Sequence, residues 1–223
     1  MLVLAIDTSS KHGSVTLCRG DSVTFDVLGL TKIEGGTYSA RLVPSIAGLI
    51  SRAGLSKTHI DGFVIVDGPG SFTGLRVGLS TIKGLCEVLG KPLVTVSMLE
   101  ALALTHGSGG ETVITVLDAG RGEVYVAEFT IRRDRGELRT QFMVKLDEFL
   151  QQLPDLKPRV ITTLPKVTGK ENGTITLVEP LHADAIARIG LRKLLDGETV
   201  DAATLDANYI RRSDAELFSL PKR

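Results

Sequence analysis

One pattern occurs twice in this chain, and it restricts the fold more than any other feature. A short run of branched apolar residues, 2–6, ends at Asp7 and is followed by turn residues and an alternating segment, 14–19. The pattern returns at 113–117, which ends at Asp118 and is followed by a turn and the segment 123–129. Asp118 lies 111 residues after Asp7, half the length of a 223-residue chain. Continuous apolar runs mark strands covered on both faces, and alternation marks strands with one covered face. In the first half, strands at 2–6, 14–19 and 23–28 precede a helix at 39–53. Leu42, Ile46, Leu49 and Ile50 share one face of that helix. Pro44 is expected in its first turn or at a kink, and Gly54 ends it. A strand at 63–66, a long helix reaching Gly90, a strand at 93–96 and a helix at 98–106 follow. The second half repeats the three strands (113–117, 124–131, 138–144) before a helix at 147–153 with Asp147 as its N-cap. Strands at 160–163 and 175–178 and a helix at 183–195 complete it. Two related α/β lobes are expected, 1–105 and 106–223, joined at Gly107 to Gly110. The tail from about residue 205 is expected to pack back on the first lobe.

Composition removes several function classes. Lys+Arg and Asp+Glu are 26 each, so the chain lacks the basic excess of a non-specific polyanion binder. With no Trp, three Tyr and seven Phe, it lacks the aromatic platforms that stack single-stranded bases. Cys18 and Cys86 sit far apart in apolar runs and read as buried free thiols of a reducing compartment. The first residues carry no basic region and too short an apolar run for a signal peptide. No uncharged apolar stretch is long enough to span a bilayer. A cytoplasmic protein with no membrane contact is expected.

The richest motif is Asp67-Gly68-Pro69-Gly70-Ser71-Phe72-Thr73-Gly74-Leu75-Arg76-Val77-Gly78 at a strand-to-helix junction. It is neither a Walker A loop nor the dinucleotide fingerprint. Two readings stand: amides and a helix dipole that hold an anion, or a tight loop whose glycines permit close backbone contact. On the helix that follows, Leu75, Leu79, Ile82, Cys86 and Leu89 form an apolar face. Gly74, Gly78 and Thr81, widened by Ser80 and Gly84, form a stripe of small residues beside it. Each interior glycine costs about 1 kcal/mol relative to alanine, so another backbone must approach closely, from the same lobe or from a partner. Asp7 and Asp118 each end a strand. In two-lobed ATPases an acidic residue there helps hold metal-bound phosphate, whereas in a purely structural role it accepts turn hydrogen bonds. His12, His59, His106 and His182 have no neighbours at metal-ligand spacing, so no metal site is expected. Arg132, Arg133 and Arg135, and the pair Arg211-Arg212, are small basic clusters that read as solvated surface or as contacts to RNA within an assembly.

Leu4-Ala5-Ile6-Asp7-Thr8-Ser9, Gly68-Pro69-Gly70-Ser71-Phe72-Thr73-Gly74-Leu75-Arg76 and Asp118-Ala119-Gly120-Arg121-Gly122-Glu123-Val124-Tyr125, taken in order, closely resemble the bacterial TsaB (YeaZ) family. Tyr209-Ile210-Arg211 resembles that family's Tyr-Leu-Arg ending. The resemblance implies an α/β, two-lobed actin-like ATPase (ASKHA, ribonuclease H-like) fold with duplicated lobes. It implies a non-catalytic scaffolding and activating subunit in the synthesis of the tRNA nucleoside threonylcarbamoyladenosine. The partners implied are the catalytic paralogue TsaD, the ATPase TsaE and a second copy of the chain, with tRNA met only inside the complex. No intrinsic cofactor is implied, although ATP or ADP at the interface with the partner fits. The paralogue's His-x-x-x-His metal pair has no counterpart here, because the helix from Tyr38 contains no histidine. The family associates through the two helices of the N-terminal lobe, which makes Leu42, Ile46, Leu49, Gly74, Gly78 and Thr81 the expected interface residues. Its motif residues correspond to Asp7, Gly68, Pro69, Gly70, Ser71, Thr73, Gly74, Arg76, Asp118 and Glu123. The alternative is a stand-alone ATP-dependent phosphotransferase of the sugar- or acetate-kinase type.

Overall fold

The computed structural model describes residues 1–153, 156–167, 175–208 and 210. The chain forms two compact units: Met1–Ala101 with Pro180–Ala207, and Leu102–Glu179. In the first unit β1 (Leu2–Asp7), β2 (His12–Gly20), β3 (Phe25–Glu34), β4 (Gly62–Gly68) and β5 (Leu93–Ser97) form one sheet in the order β3-β2-β1-β4-β5. The pairs β1–β2 and β2–β3 are antiparallel, while β1–β4 and β4–β5 are parallel. Every residue of β1 is buried, as its unbroken apolar run requires, because helices cover both faces of the sheet. On one face α1 (Tyr38–Arg52) and α2 (Phe72–Leu89) pack over Leu4, Ile6, Val15, Leu17, Phe63 and Ile65. Cys18 and Cys86 are buried free thiols, and burial pushes them up to about 12 and about 11.

The other face of that sheet carries α5 (Ala183–Leu195), which packs against β1, β2, β4 and β5. This corrects the division at residue 105, which gave α5 to the second lobe. The physical reason is its packing surface. A Cβ at Gly190 would strike the side chain of Val64, and Ala183 N donates to Ser14 Oγ at 2.8 Å. The chain leaves the first unit within α3 (Met98–His106) and returns to it after Glu179.

The second unit holds β6 (Thr112–Gly120), β7 (Glu123–Arg132), β8 (Arg135–Lys145), β9 (Arg159–Thr162) and β10 (Ile175–Leu177) in the order β10-β9-β6-β7-β8. With β6 taken as the counterpart of β1, this is the first sheet's order, so the duplication read from the sequence is structural. Again the first three strands are antiparallel and the remaining pairs parallel. The helix α4 (Leu146–Gln152) occupies the place of α1 in the series. Between β9 and β10 the described residues contain only a short 3-10 turn, Pro165–Val167, where the first unit has α2.

Several boundaries differ from expectation. The carboxylate of Asp21 accepts from Val23 N and Thr24 N, both at 2.8 Å, which extends the turn and starts β3 later. Pro44 lies inside α1, past its first turn. The N-cap of α4 is Lys145, and Asp147 sits in the first turn, where its charge complements the helix dipole.

Two glycines on helices should respond oppositely to the same substitution. Gly84 is exposed, with nothing within 4 Å of the place a methyl group would take, whereas Gly190 is pressed on Val64. Gly84→Ala is expected to raise stability by about 0.5–1 kcal/mol. Gly190→Ala is expected to lower it by about 1–3 kcal/mol through overpacking. Urea midpoints of the two variants check both signs.

Candidate functional site

The two N-terminal motifs meet. The residues after β1 turn sharply because Asp7 Oδ1 accepts from Ser9 N at 2.8 Å and from Ser9 Oγ at 2.7 Å. Ser9 O in turn accepts from Ser71 N at 2.6 Å, which ties the turn to the loop between β4 and α2. That loop has a cis Gly68–Pro69 peptide, with Gly68 at φ 140. Gly70, Gly74 and Gly78 then face the turn in succession. A Cβ would strike Ser9 O at the first, Thr8 O at the second and Thr8 Oγ1 at the third. The close backbone approach that the glycine stripe demands therefore comes from this chain's own first turn.

This decides between the two readings of the loop. An anion at the start of α2 needs free amides there. Ser71 N is bound to Ser9 O, Gly74 N to Ser71 Oγ at 3.3 Å and Leu75 N to Ser71 O at 2.8 Å. Ser71 is the N-cap of α2 and Gly90, at φ 61, its C-cap. Asp7 is 1% exposed, and desolvation raises its pKa against the lowering effect of the Ser9 hydrogen bonds. Its role is that of a turn-former, closed off by the loop. Asp118 forms the simpler version, with Oδ1 accepting from Gly120 N at 2.8 Å in an exposed turn through Arg121 at φ 55. Glu123 begins β7, half-buried, after that turn. Burial first, and the Asp118 charge second, raise the Tyr125 phenol beside it.

The expected interface residues are corrected by their positions. Leu42, Ile46 and Leu49 are buried in the core under α1. Truncating such a leucine would cost the folded monomer about 2–5 kcal/mol, so it is a fold residue. Gly74 and Gly78 are buried against Thr8, and Thr81 Oγ1 donates to Val77 O at 2.8 Å within α2. What these helices turn outward is different: Val43, Pro44 and Ala47 on α1, and Phe72, Thr73, Arg76, Ser80, Gly84 and Val88 on α2. Val43 is 59% exposed and Val88 72%. Arg76 stacks over the Phe72 ring with 3.8 Å to its centroid. The residues spaced by four from Phe72 to Val88 carry a helical signal in the sequence, but it is weaker than the apolar face that outshone it.

A further group was not singled out by sequence. Asp67, at the end of β4, is pushed up to about 6, chiefly by burial, against a Thr95 hydrogen bond and the Lys193 charge. Lys193 Nζ binds Glu100 Oε2 at 2.8 Å and Thr95 O at 3.3 Å, joining α5 to α3 and β5. The sequence signal was only Asp67 heading the glycine loop; its partners lie far away along the chain. Among the described residues no group of three or more His, Cys, Asp or Glu is arranged to hold a metal ion. No helix there is long and apolar enough to cross a membrane. Of the Tyr209-Ile210-Arg211 ending, Tyr209 and Arg211 fall outside the described residues.

The raised carboxyls set the sign of one pH effect. A group that binds protons more tightly when folded stabilises the fold as pH falls from its folded pKa toward its unfolded one. Asp67 therefore gives stability at pH 5 that is lost as pH rises through about 6. Asp67→Asn is expected to be more stable than the parent at pH 7.5 by about 1–2 kcal/mol, with the difference shrinking at pH 5. Urea unfolding of both proteins at the two pH values checks it, and taking the difference cancels the opposing titration of His106, which burial lowers.

Residues 34–186 match the family described as TsaD: tRNA N6-adenosine threonylcarbamoyltransferase. The chain is 28% identical to the tRNA threonylcarbamoyladenosine biosynthesis protein TsaB of Bacillus subtilis, covering 97% of this chain and 96% of that one. It is 27% identical to TsaB of Escherichia coli, with 96% of each covered. Among solved structures, YeaZ from Pseudomonas aeruginosa superposes with a TM-score of 0.73 at 22% identity, over 93% of this chain and 99% of that one.

Proposed function

Because the chain belongs to the TsaD family, and within it to the TsaB (YeaZ) proteins of tRNA threonylcarbamoyladenosine biosynthesis, we propose that it is the scaffolding and activating subunit of the modifying complex. It contributes no reacting group. It docks on a TsaD-type catalytic paralogue through the outer faces of α1 and α2 and holds that subunit in its competent state. The assembly recruits the TsaE ATPase, meets tRNA only as a whole, and holds ATP or ADP at the interface between paralogues. In the absence of its partner, the chain pairs with itself through the same helices, since a helix pair can be self-complementary.

The observation that carries this reading is the filled turn at Asp7. A phosphotransferase of the two-lobed type needs an open phosphate site there, and Gly70, Gly74 and Gly78 bring the chain's own loop and helix into that space. The stand-alone kinase reading loses its central requirement. The docking reading is supported by the outward stripe. Val43 and Val88 are exposed apolar side chains, Gly84 lets another backbone approach, and a stacked Arg–Phe pair supplies the residue types enriched at interface anchors.

Two experiments test it. Gly84→Trp adds bulk only to the outside of α2, so the monomer is expected to keep its circular dichroism while affinity for the paralogue falls at least tenfold. Undiminished affinity would remove α2 from the interface. A reconstituted modification reaction, run with and without the chain, is expected to depend on it. Equal yields of modified nucleoside would end the proposed role.

A further inference from the structure

A cavity of about 500 Å³ opens at the ends of β2 and β3, beside the start of α5. Strand register shows what faces it. His12 pairs with Glu34 and Ser14 with Lys32, and directly paired side chains share a face. Ser14 Oγ accepts the Ala183 amide, so this is the face on which α5 begins. Lys11 is fixed above it, because its carbonyl accepts from Gly35 N at 2.9 Å. Lys11, His12, Lys32 and His182, from three separate segments, thus line one cavity, with Glu34 the one acidic residue among its lining. In a chain of zero net charge this is a local cationic excess. His182, the N-cap residue of α5, makes no side-chain cap, and its Nδ1 is buried without a partner.

We propose that this cavity binds a phosphate group, held by the ammonium groups of Lys11 and Lys32 and the imidazoles of His12 and His182. One exposed lysine adds little to the binding of an anion. Two lysines and two imidazoles around one cavity supply several charge-assisted hydrogen bonds to tetrahedral oxygens. The site is separate from the outward face of α1 and α2 and does not rest on the docking reading. The phosphate has two possible sources, the terminal phosphate of a nucleotide or the backbone of RNA, and both offer the same oxyanion.

The test is a titration of the full chain with inorganic phosphate, followed by imidazole NMR signals at constant pH and ionic strength. His12 and His182 are expected to shift saturably, while His59, in the 3-10 turn Lys57–His59 away from the cavity, stays in place. Lys11 and Lys32 are exposed, so a Lys11→Ala, Lys32→Ala double variant keeps the fold. It is expected to need at least tenfold more phosphate for half-saturation. Shifts that never saturate, or a double variant that titrates like the parent, would overturn the site. Parallel titrations with a nucleoside monophosphate and a short oligoribonucleotide assign the source, by whichever saturates at lower phosphate concentration.

Discussion

The hydrogen bond from Ser71 N to Ser9 O joins the first turn of the chain to the first turn of α2, and the architecture of the first unit is arranged around it. Three glycines make the contact possible by leaving room for Thr8 and Ser9. Gly74 and Gly78 weaken α2 as an isolated helix by about 1 kcal/mol each. What they permit is close packing of α2 on β1 and β4, which aims Leu75, Leu79 and Ile82 into the core. With α2 fixed in depth and rotation, α1 packs beside it, and the outward stripes of the two helices acquire a defined position. The motif therefore governs association from inside the fold, by setting the helix whose opposite side faces outward.

That separation explains why a motif so specific carries no chemistry of its own here. The amides that open α2 are bound within the chain, and the Asp7 carboxylate is spent on its own turn. The second unit shows what the arrangement adds. It repeats the strand order and the acidic turn, yet Asp118 stays in an exposed turn, and the described residues between β9 and β10 contain no helix equivalent to α2. Duplication supplied the scaffold twice, whereas the interlocked loop belongs to the first copy.

Much of this was legible in the sequence because it depends on local periodicity. The run at β1, the apolar face of α2 with its closing glycine and the repeated strand pattern are set by residues close together along the chain. The misreadings have a common cause, namely long-range choices that periodicity does not encode. Which face of α1 and α2 looks outward is fixed by the sheet, so the strongest apolar stripe, Leu42, Ile46 and Leu49, was core and not interface. The turn at Asp21 displaced β3 through two side-chain hydrogen bonds. Asp67 gains its raised pKa from burial beside Thr95, Lys193 and Glu100, which no spacing rule brings together. α5 was read as a helix with the correct bounds, but its lobe is decided by Gly190 fitting against Val64.

The placement of α5 also bears on how the protein is made. The first sheet has one face covered by α1 and α2, whose residues precede Gly90, and the other by a helix whose residues come after 182. During synthesis the N-terminal unit therefore waits, with Val64 and the rest of that face uncovered, while the ribosome translates the whole intervening unit. Closure of the first domain is a late, long-range event, of the kind that slows folding and leaves apolar surface open to chaperones.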